Sequence, residues 1–214
     1  FILTLTSMVY LYVASVWLDR VPGFTGFLAV FVIGWVAGLA GFWLMAITPM
    51  PHLSSPPAVG FASSVCGPLR DRRFLILALF LAAWNVATQV AGAFYGIYMI
   101  KYLKLSYSTI AVYTNITLLC MIVGYLAFGA LAQRFGSKPI LQILLVPGMV
   151  VPFLWLFTTR DTCAVMVPIA SFLGGLSGAG LSVALGSLLY KIVPSGIGNT
   201  SYFAAWTGLS AVAA

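Results

Sequence analysis

The side chains of this sequence that could bind a small molecule are amides, hydroxyls and aromatic rings within long apolar runs. In the run 74–100, Asn85, Gln89, Gly92 and Gly96 recur at spacings of four, three and four residues, so they share one face of a helix. An amide in hydrocarbon needs a partner, so this face points into a helix bundle or a watery cavity. Two interpretations stay open: Asn85 and Gln89 line a solute path, or they join helices beside a close-packing glycine pair.

Two further sets of residues are candidates for a solute cavity. Asn115 lies beside Thr114 and Thr117, whose hydroxyls can bond to their own helix, so a structural role is favoured for this set. Tyr202 and Trp206 are four residues apart and share a helical face. They could stack on a ligand, or they could anchor a helix at the membrane interface, which is the commoner use of such rings.

Stripes of small residues predict helix packing rather than ligand binding, because they let two backbones approach closely. Besides Gly92 and Gly96, the packing candidates at four-residue steps are Gly34, Gly38, Gly174, Gly178, Ser182 and Gly186.

The residue types needed for catalysis or metal binding are missing from the apolar runs. No Asp, Glu, Lys, Arg or His lies in the middle of any run, and His52 is the only histidine. The three cysteines have no CxxC spacing. We therefore predict no catalytic residues, no metal and no cofactor. A proton-coupling carboxylate, where one exists, would lie in a part of the protein that precedes this sequence.

Composition places the chain in a membrane. Hydrophobic residues make up 62% of it and charged residues 6%, whereas a soluble domain is roughly a quarter charged. The net charge of +7 comes from cations at the ends of apolar runs. This pattern is typical of membrane flanks, and it excludes nucleic acid as a partner in favour of the lipid bilayer.

The fold class predicted is an all-α, polytopic bundle of transmembrane helices, since runs of about 20 apolar residues span a bilayer as helices. A proline-rich linker, 49–72, divides the chain into 1–48 and 73–214. We expect a fragment that lacks the N-terminal half of the same protein. The seven predicted spans are 1–18, 26–47, 74–100, 105–133, 140–157, 164–190 and 200–214.

The turn 129–139, GALAQRFGSKP, combines two cations with two glycines. Gly129 would let the helix end approach a neighbour, and Gly136 would take a positive φ. Six of the ten cations fall on the side of this turn and of the linker, which predicts that this side is cytoplasmic. The turn resembles the signature Gly-x-Leu-Ala-Asp-Arg-x-Gly-Arg-Lys of the major facilitator superfamily. Its matching residues are Gly129, Leu131, Ala132, Arg134, Gly136 and Lys138.

The resemblance implies a secondary or facilitative transporter with twelve helices, in which two six-helix halves rock about a central site. Residues 1–48 would then end the first half, and 73–214 would form four helices and the start of a fifth of the second. The signature turn would be a gating contact. Gln133 replaces the family's Asp, so this latch should be weaker here.

Amides, hydroxyls and rings suit a neutral or amphipathic solute better than a strongly charged one. We expect an integral protein of a bacterial inner membrane. Solute identity, direction of transport, coupling ion and oligomeric state stay open. A non-transporting sensor or scaffold on the same fold is the alternative, and a membrane-embedded enzyme is a weaker one.

Overall fold

The computed structural model describes residues 2–21, 23–48, 67–193 and 199–213, and every long regular element in these ranges is an α-helix. A single further helical turn covers 67–70. The long helices are α1 (Ile2–Arg20), α2 (Phe24–Ile47), α3 (Arg72–Lys101), α4 (Tyr107–Phe135), α5 (Ser137–Leu156), α6 (Cys163–Ile192) and α7 (Asn199–Ala213).

Five of these helices, α2 to α6, are long and apolar enough to cross a membrane. They have 20 to 30 residues, and about 20 residues cover a bilayer core. The prediction of an all-helical membrane protein is therefore confirmed for the described residues. Helices α1, with 19 residues, and α7, with 15, are not among the five, so the seven-span arrangement stays a prediction.

Local sequence explains where the helices begin. The Asp71 carboxylate accepts the Arg73 backbone N–H at 2.9 Å and caps α3, and the Ser106 hydroxyl accepts the Thr109 N–H at 3.3 Å and caps α4. Helix α3 thus begins at Arg72, the last residue of the predicted linker. Most of that linker, including His52, lies outside the described residues.

Helix α6 is the centre of the bundle and packs most extensively against α4 and α5. Helix α3 packs against α6 and α7, where its buried Phe74, Leu77 and Leu81 meet Leu185 and Leu189 of α6. Helix α1 packs against α4. Helix α2 meets α1 by few contacts, one of which is a hydrogen bond from the Tyr10 hydroxyl to the Val30 carbonyl.

The two ends of the bundle are named here by one residue each. At the Asp19 end, α1 and α3 end, α4 begins, and the loop between α5 and α6 lies close by. At the Gly136 end, α3 and α5 begin and α6 ends. The positions of Lys and Arg assign the Gly136 end to the cytoplasm as a prediction.

Candidate solute cavity

The largest well-formed cavity lies between α3, α5 and α6, around the middle of α3 and α6. Its volume is about 540 Å³, within the range of small-molecule sites. No charged side chain is part of its lining among the described residues. The lining is Trp84, Ala87, Thr88, Ala91 and Tyr95 of α3, Gly148, Met149, Val151, Pro152 and Phe153 of α5, and Gly174, Ser177, Gly178 and Leu181 of α6.

Each helix presents the cavity with one stripe of its surface. On α3 the stripe runs through Trp84, Thr88, Ala91 and Tyr95, which recur at three or four residues. Gly148 makes room for the Trp84 ring: a Cβ atom there would lie 2.8 Å from the Cη2 atom of Trp84. The cavity is therefore built on regular helices rather than on loops.

The polar groups of the cavity are mostly hydrogen-bond acceptors. The Thr88 hydroxyl donates to the Trp84 carbonyl at 2.9 Å, and the Ser177 hydroxyl donates to the Leu173 carbonyl at 2.6 Å. Each has thereby committed its only proton, so its oxygen can only accept from a ligand. Pro152 has no N–H to donate to the Gly148 carbonyl, which adds another acceptor.

Aromatic rings separate this cavity from a smaller one towards the Asp19 end. The smaller cavity, of about 220 Å³, shares Tyr95 and Val151 with the larger one. Tyr95 stacks on Trp155 with ring centroids 4.4 Å apart and planes 11° apart. Beyond this pair, the Tyr98 hydroxyl donates to the Thr158 carbonyl at 2.8 Å. These contacts join α3 to α5 and to the loop after it.

A carboxylate joins α1 to α4 at the same end. Asp19 accepts the Tyr107 and Ser108 backbone N–H groups with its two oxygens, each at 2.9 Å. Both donors belong to the first turn of α4, where the helix dipole favours a negative charge. The hydrogen bonds from Ser108 and Tyr107 hold the pKa of the Asp19 carboxyl below its ordinary value, with slight desolvation acting the other way.

The predicted cavity residues of α3 lie on a different face from the cavity. Asn85 and Gln89 are next to Trp84 and Thr88 in the chain, so their face is turned by about 100°. Neither lines the cavity, and Gln89 is exposed. Their role in a solute path therefore stays a prediction, and no described residue supplies a partner helix for that face.

The other three predicted cavity residues lie apart from one another. The Asn115 amide donates to the Met8 carbonyl of α1 at 3.3 Å, and its buried Oδ1 has no partner among the described residues. Tyr202 makes an edge-on contact with Phe74 at a centroid distance of 5.2 Å. Trp206 packs beside it on the core between α3, α6 and α7.

The glycines that give close packing are not those of the predicted stripes. A Cβ atom at Gly38, Gly96, Gly174, Gly178 or Gly186 would have no described atom within 4 Å. At Gly92 it would meet only Gln89 of its own helix, and at Gly34 it would lie 3.6 Å from the Tyr10 hydroxyl of α1.

Instead, α6 packs closely against its neighbours at Gly175 and Gly180. A Cβ atom at Gly175 would clash with the Thr117 carbonyl oxygen, and one at Gly180 would lie 2.9 Å from Cδ2 of Phe128. Gly174 and Gly178 of the predicted stripe line the cavity, while the Ser182 hydroxyl donates to the Gly178 carbonyl.

The signature turn is a one-residue connection between α4 and α5. Gly136 has φ +87°, so the predicted positive φ is confirmed, and any other L-residue there would be strained. The close approach predicted at Gly129 is not made by any described residue. Gln133, Arg134 and Lys138 are exposed, and their gating role stays a prediction.

Sequence reasoning missed most of the cavity lining. A signal was present on α3, where a tryptophan, a threonine and a tyrosine share one stripe. A second signal was Pro152 beside Met149 and Phe153, since a proline within a membrane helix leaves a carbonyl free for other partners.

Neither a known family model, nor a curated protein, nor a solved structure matches this chain. The geometry of the described helices therefore stands without a relative to interpret it.

Proposed function

We propose that this chain is part of a secondary or facilitative transporter of the major facilitator type. One observation carries the proposal: an uncharged cavity of about 540 Å³ lies at mid-depth between three helices that can each span a membrane. Transporters of this architecture bind their solutes near the bilayer midplane, at sites exposed to one side at a time. The tight turn at Gly136 and the resemblance of 129–139 to the family signature support the same proposal.

The lining defines the chemistry of the solute. Trp84, Tyr95 and Phe153 offer ring faces and edges for an aromatic or aliphatic body. The acceptor oxygens of Thr88 and Ser177 favour a solute that donates hydrogen bonds. A charged solute would lose its hydration without gaining an opposite charge in the cavity. The solute is therefore neutral and amphipathic, with O–H or N–H donors.

The Asp19 end is the closed end in this conformation, under this proposal. Three contacts cross it: Asp19 to the start of α4, Tyr98 to Thr158, and the Arg160 guanidinium to the Tyr102 carbonyl at 2.9 Å. If the Gly136 end is cytoplasmic, as its cations predict, the conformation is closed towards the outside.

The test uses the full-length protein and a matched pair of variants on α6. Gly178→Phe would place a ring in the cavity, whereas Gly186→Phe changes a glycine that also has free space but does not line it. Phenyl glucoside, a neutral compound with one ring and several hydroxyl donors, is the first probe of a panel of neutral aromatic glycosides and amides.

We expect saturable binding to the protein in nanodiscs and flux into proteoliposomes for members of the panel. Gly178→Phe should abolish both, and Gly186→Phe should leave both unchanged. Binding without flux would favour the sensor or scaffold alternative. If no member of the panel is bound or moved, or if both variants behave alike, the proposed site is wrong.

A further inference from the structure

A second cavity lies at the Gly136 end, in the groove between α3, α5 and α6. Its volume is about 490 Å³. Six of its lining residues are apolar, and two are cations. The apolar residues are Ile76, Leu77, Phe80, Leu141, Leu188 and Ile192, and the cations are Arg73 and Lys138.

The two cations come from different helices and reach the same groove. Arg73 lies in the first turn of α3 and Lys138 in the first turn of α5, and both are exposed. Two helix N-termini therefore face this region as well, and their backbone N–H groups favour an anion. The positive charge at the groove thus has two independent sources.

The only acidic residue near this groove does not neutralise it. Asp71 caps α3 by accepting the Arg73 backbone N–H, and it is not part of the groove lining. The other two acidic residues, Asp19 and Asp161, belong to the opposite end of the bundle. Cations outnumber this one carboxylate at the Gly136 end: Arg70, Arg72, Arg73, Arg134, Lys138 and Lys191.

The groove also has access to lipid. Ile76 is 61% exposed and lies one helical turn further into the predicted span than Arg73. From the rim to the interior, the groove therefore passes from cations to aliphatic and aromatic side chains. A phospholipid has the same order of chemistry, with a charged head group followed by acyl chains.

We propose that this groove binds an anionic phospholipid. Arg73 and Lys138 contact the phosphate, and an acyl chain lies along Ile76, Phe80 and Ile192. Basic pockets between membrane helices bind anionic head groups in this way. The proposal depends on membrane insertion alone, so it stands or fails separately from the proposed transport function.

A free phosphate ion is the other source of the same anionic chemistry. It could contact the two cations, but the apolar wall would give it nothing, and exposed cations alone bind phosphate weakly. A zwitterionic phospholipid could occupy the apolar wall, but its head group brings a positive charge beside Arg73 and Lys138. The anionic phospholipid is the occupant that satisfies both parts of the groove.

The test is a lipid titration of the purified full-length protein, read by native mass spectrometry. Dioleoylphosphatidylglycerol is compared with dioleoylphosphatidylcholine on the wild type and on two double variants. Arg73→Gln with Lys138→Gln removes the groove cations. Lys101→Gln with Lys104→Gln removes two cations at the opposite end and is the matched control.

We expect the preference for phosphatidylglycerol to fall by about tenfold in the groove variant and to stay unchanged in the control. Exchanging the cations, as Arg73→Lys with Lys138→Arg, should restore it. An unchanged preference in the groove variant, or an equal fall in both double variants, would contradict the site.

Inorganic phosphate separates the two sources of anion. We expect that phosphate at millimolar concentration does not displace phosphatidylglycerol, and that Ile76→Ser weakens phosphatidylglycerol and leaves the thermal midpoint nearly unchanged. Displacement by phosphate, together with no effect of Ile76→Ser, would assign the groove to a soluble anion and overturn the lipid.

Discussion

Helix α4 packs against two neighbours in different ways. Towards α6 the contact is apolar and close: a Cβ atom at Gly124 would lie 2.8 Å from Cβ of Ala179, and one at Gly175 would lie 2.8 Å from Cβ of Cys120. Towards α1 the printed ties are polar and few. They are the two hydrogen bonds to Asp19 and the one from Asn115 to Met8.

The difference indicates which interface can separate. Opening the α4–α6 contact would leave voids beside glycines, and a packed membrane interior gains nothing in exchange. The Asp19 contact lies in an exposed region, so water can replace its hydrogen bonds when the helices part. Under the proposed function, α1 belongs to the first half and α4 to the second, so their contact is where the halves rock.

The α4–α6 interface should respond most strongly to substitution. In Gly175→Leu the new side chain would meet the Thr117 carbonyl and Cys120, and neither is the flexible end of a side chain. Overpacking of this kind costs about 3 kcal/mol. We expect the thermal unfolding midpoint of the purified full-length protein to fall sharply, or the protein not to be recovered from the membrane.

Gly174→Leu is the control for that prediction. The neighbouring glycine has no described atom within 4 Å of its Cβ position, so the added side chain enters the cavity and the midpoint should stay close to that of the wild type. Equal destabilisation by both variants would show that α6 tolerates no larger residue on either face, and the contrast between the two interfaces of α4 would be lost.

The Asp19 tie should have a smaller effect, and on a different observable. Asp19→Ala removes both hydrogen bonds to the start of α4, which is worth about 1 kcal/mol for an exposed carboxylate at a helix N-terminus. We expect a modest fall in thermal midpoint and a longer α1–α4 distance. The distance is read by electron paramagnetic resonance between spin labels at Trp17 and Val112, both exposed.

Asp161→Ala tests whether any carboxylate at this end would act in the same way. Asp161 lies in the loop between α5 and α6 and carries the same charge. It should change neither the label distance nor the midpoint. If the Asp161 variant lengthens the distance as much as Asp19→Ala, the effect is one of net charge, and the specific tie to α4 is refuted.

Acidification should weaken the same tie in the wild type. The hydrogen bonds from Ser108 and Tyr107 lower the pKa of Asp19 in the folded state. Its contribution is therefore present above the ordinary carboxyl pKa, about 3.9, and is lost as pH falls through the lowered pKa. No cation contributes to this shift; the charged or titratable neighbours in sequence are Arg20, Lys104 and Tyr107.

We expect the α1–α4 distance to lengthen only below about pH 4. The effect is part of the roughly 1 kcal/mol of the whole tie and should be absent from Asp19→Asn, which cannot ionise. The same pH dependence in Asp19→Asn would assign the change to other carboxylates.

The sequence predicted the helical class and the local geometry of one turn, but not the faces by which the helices meet. In a soluble helix the apolar stripe marks the buried face. In a membrane both lipid and neighbouring helices are apolar surroundings, so the stripe is lost. Gly136 was predictable because its positive φ is a local requirement.

The small-residue stripe of α6 illustrates the limit of the sequence pattern. Gly174, Gly178, Ser182 and Gly186 have the spacing of a packing motif, yet Gly175 and Gly180 make the close contacts. Glycines occur on both sides of this helix, and only the positions of α4 and α5 decide which of them are covered. The cavity lining was missed for the same reason.

The smallest expected effect concerns Asn115, which the sequence indicated as a cavity residue and the structure places against α1. Its amide donates to the Met8 carbonyl at 3.3 Å, while its buried Oδ1 has no described partner. Asn115→Leu loses one long hydrogen bond and also removes the desolvation cost of the unpaired oxygen. These terms offset each other, so the change in unfolding free energy should lie within about 0.5 kcal/mol.

Thr114→Val is the matched control, because the Thr114 hydroxyl donates only to the Ile110 carbonyl of its own helix, at 3.0 Å. Both variants should keep the thermal midpoint and the α1–α4 label distance of the wild type, and both should keep flux of the neutral panel. A loss of flux in Asn115→Leu alone, with an unchanged midpoint, would mean that the Oδ1 atom receives its missing hydrogen bond from the solute. The solute path would then run along the separable α1–α4 interface rather than through the cavity between α3, α5 and α6.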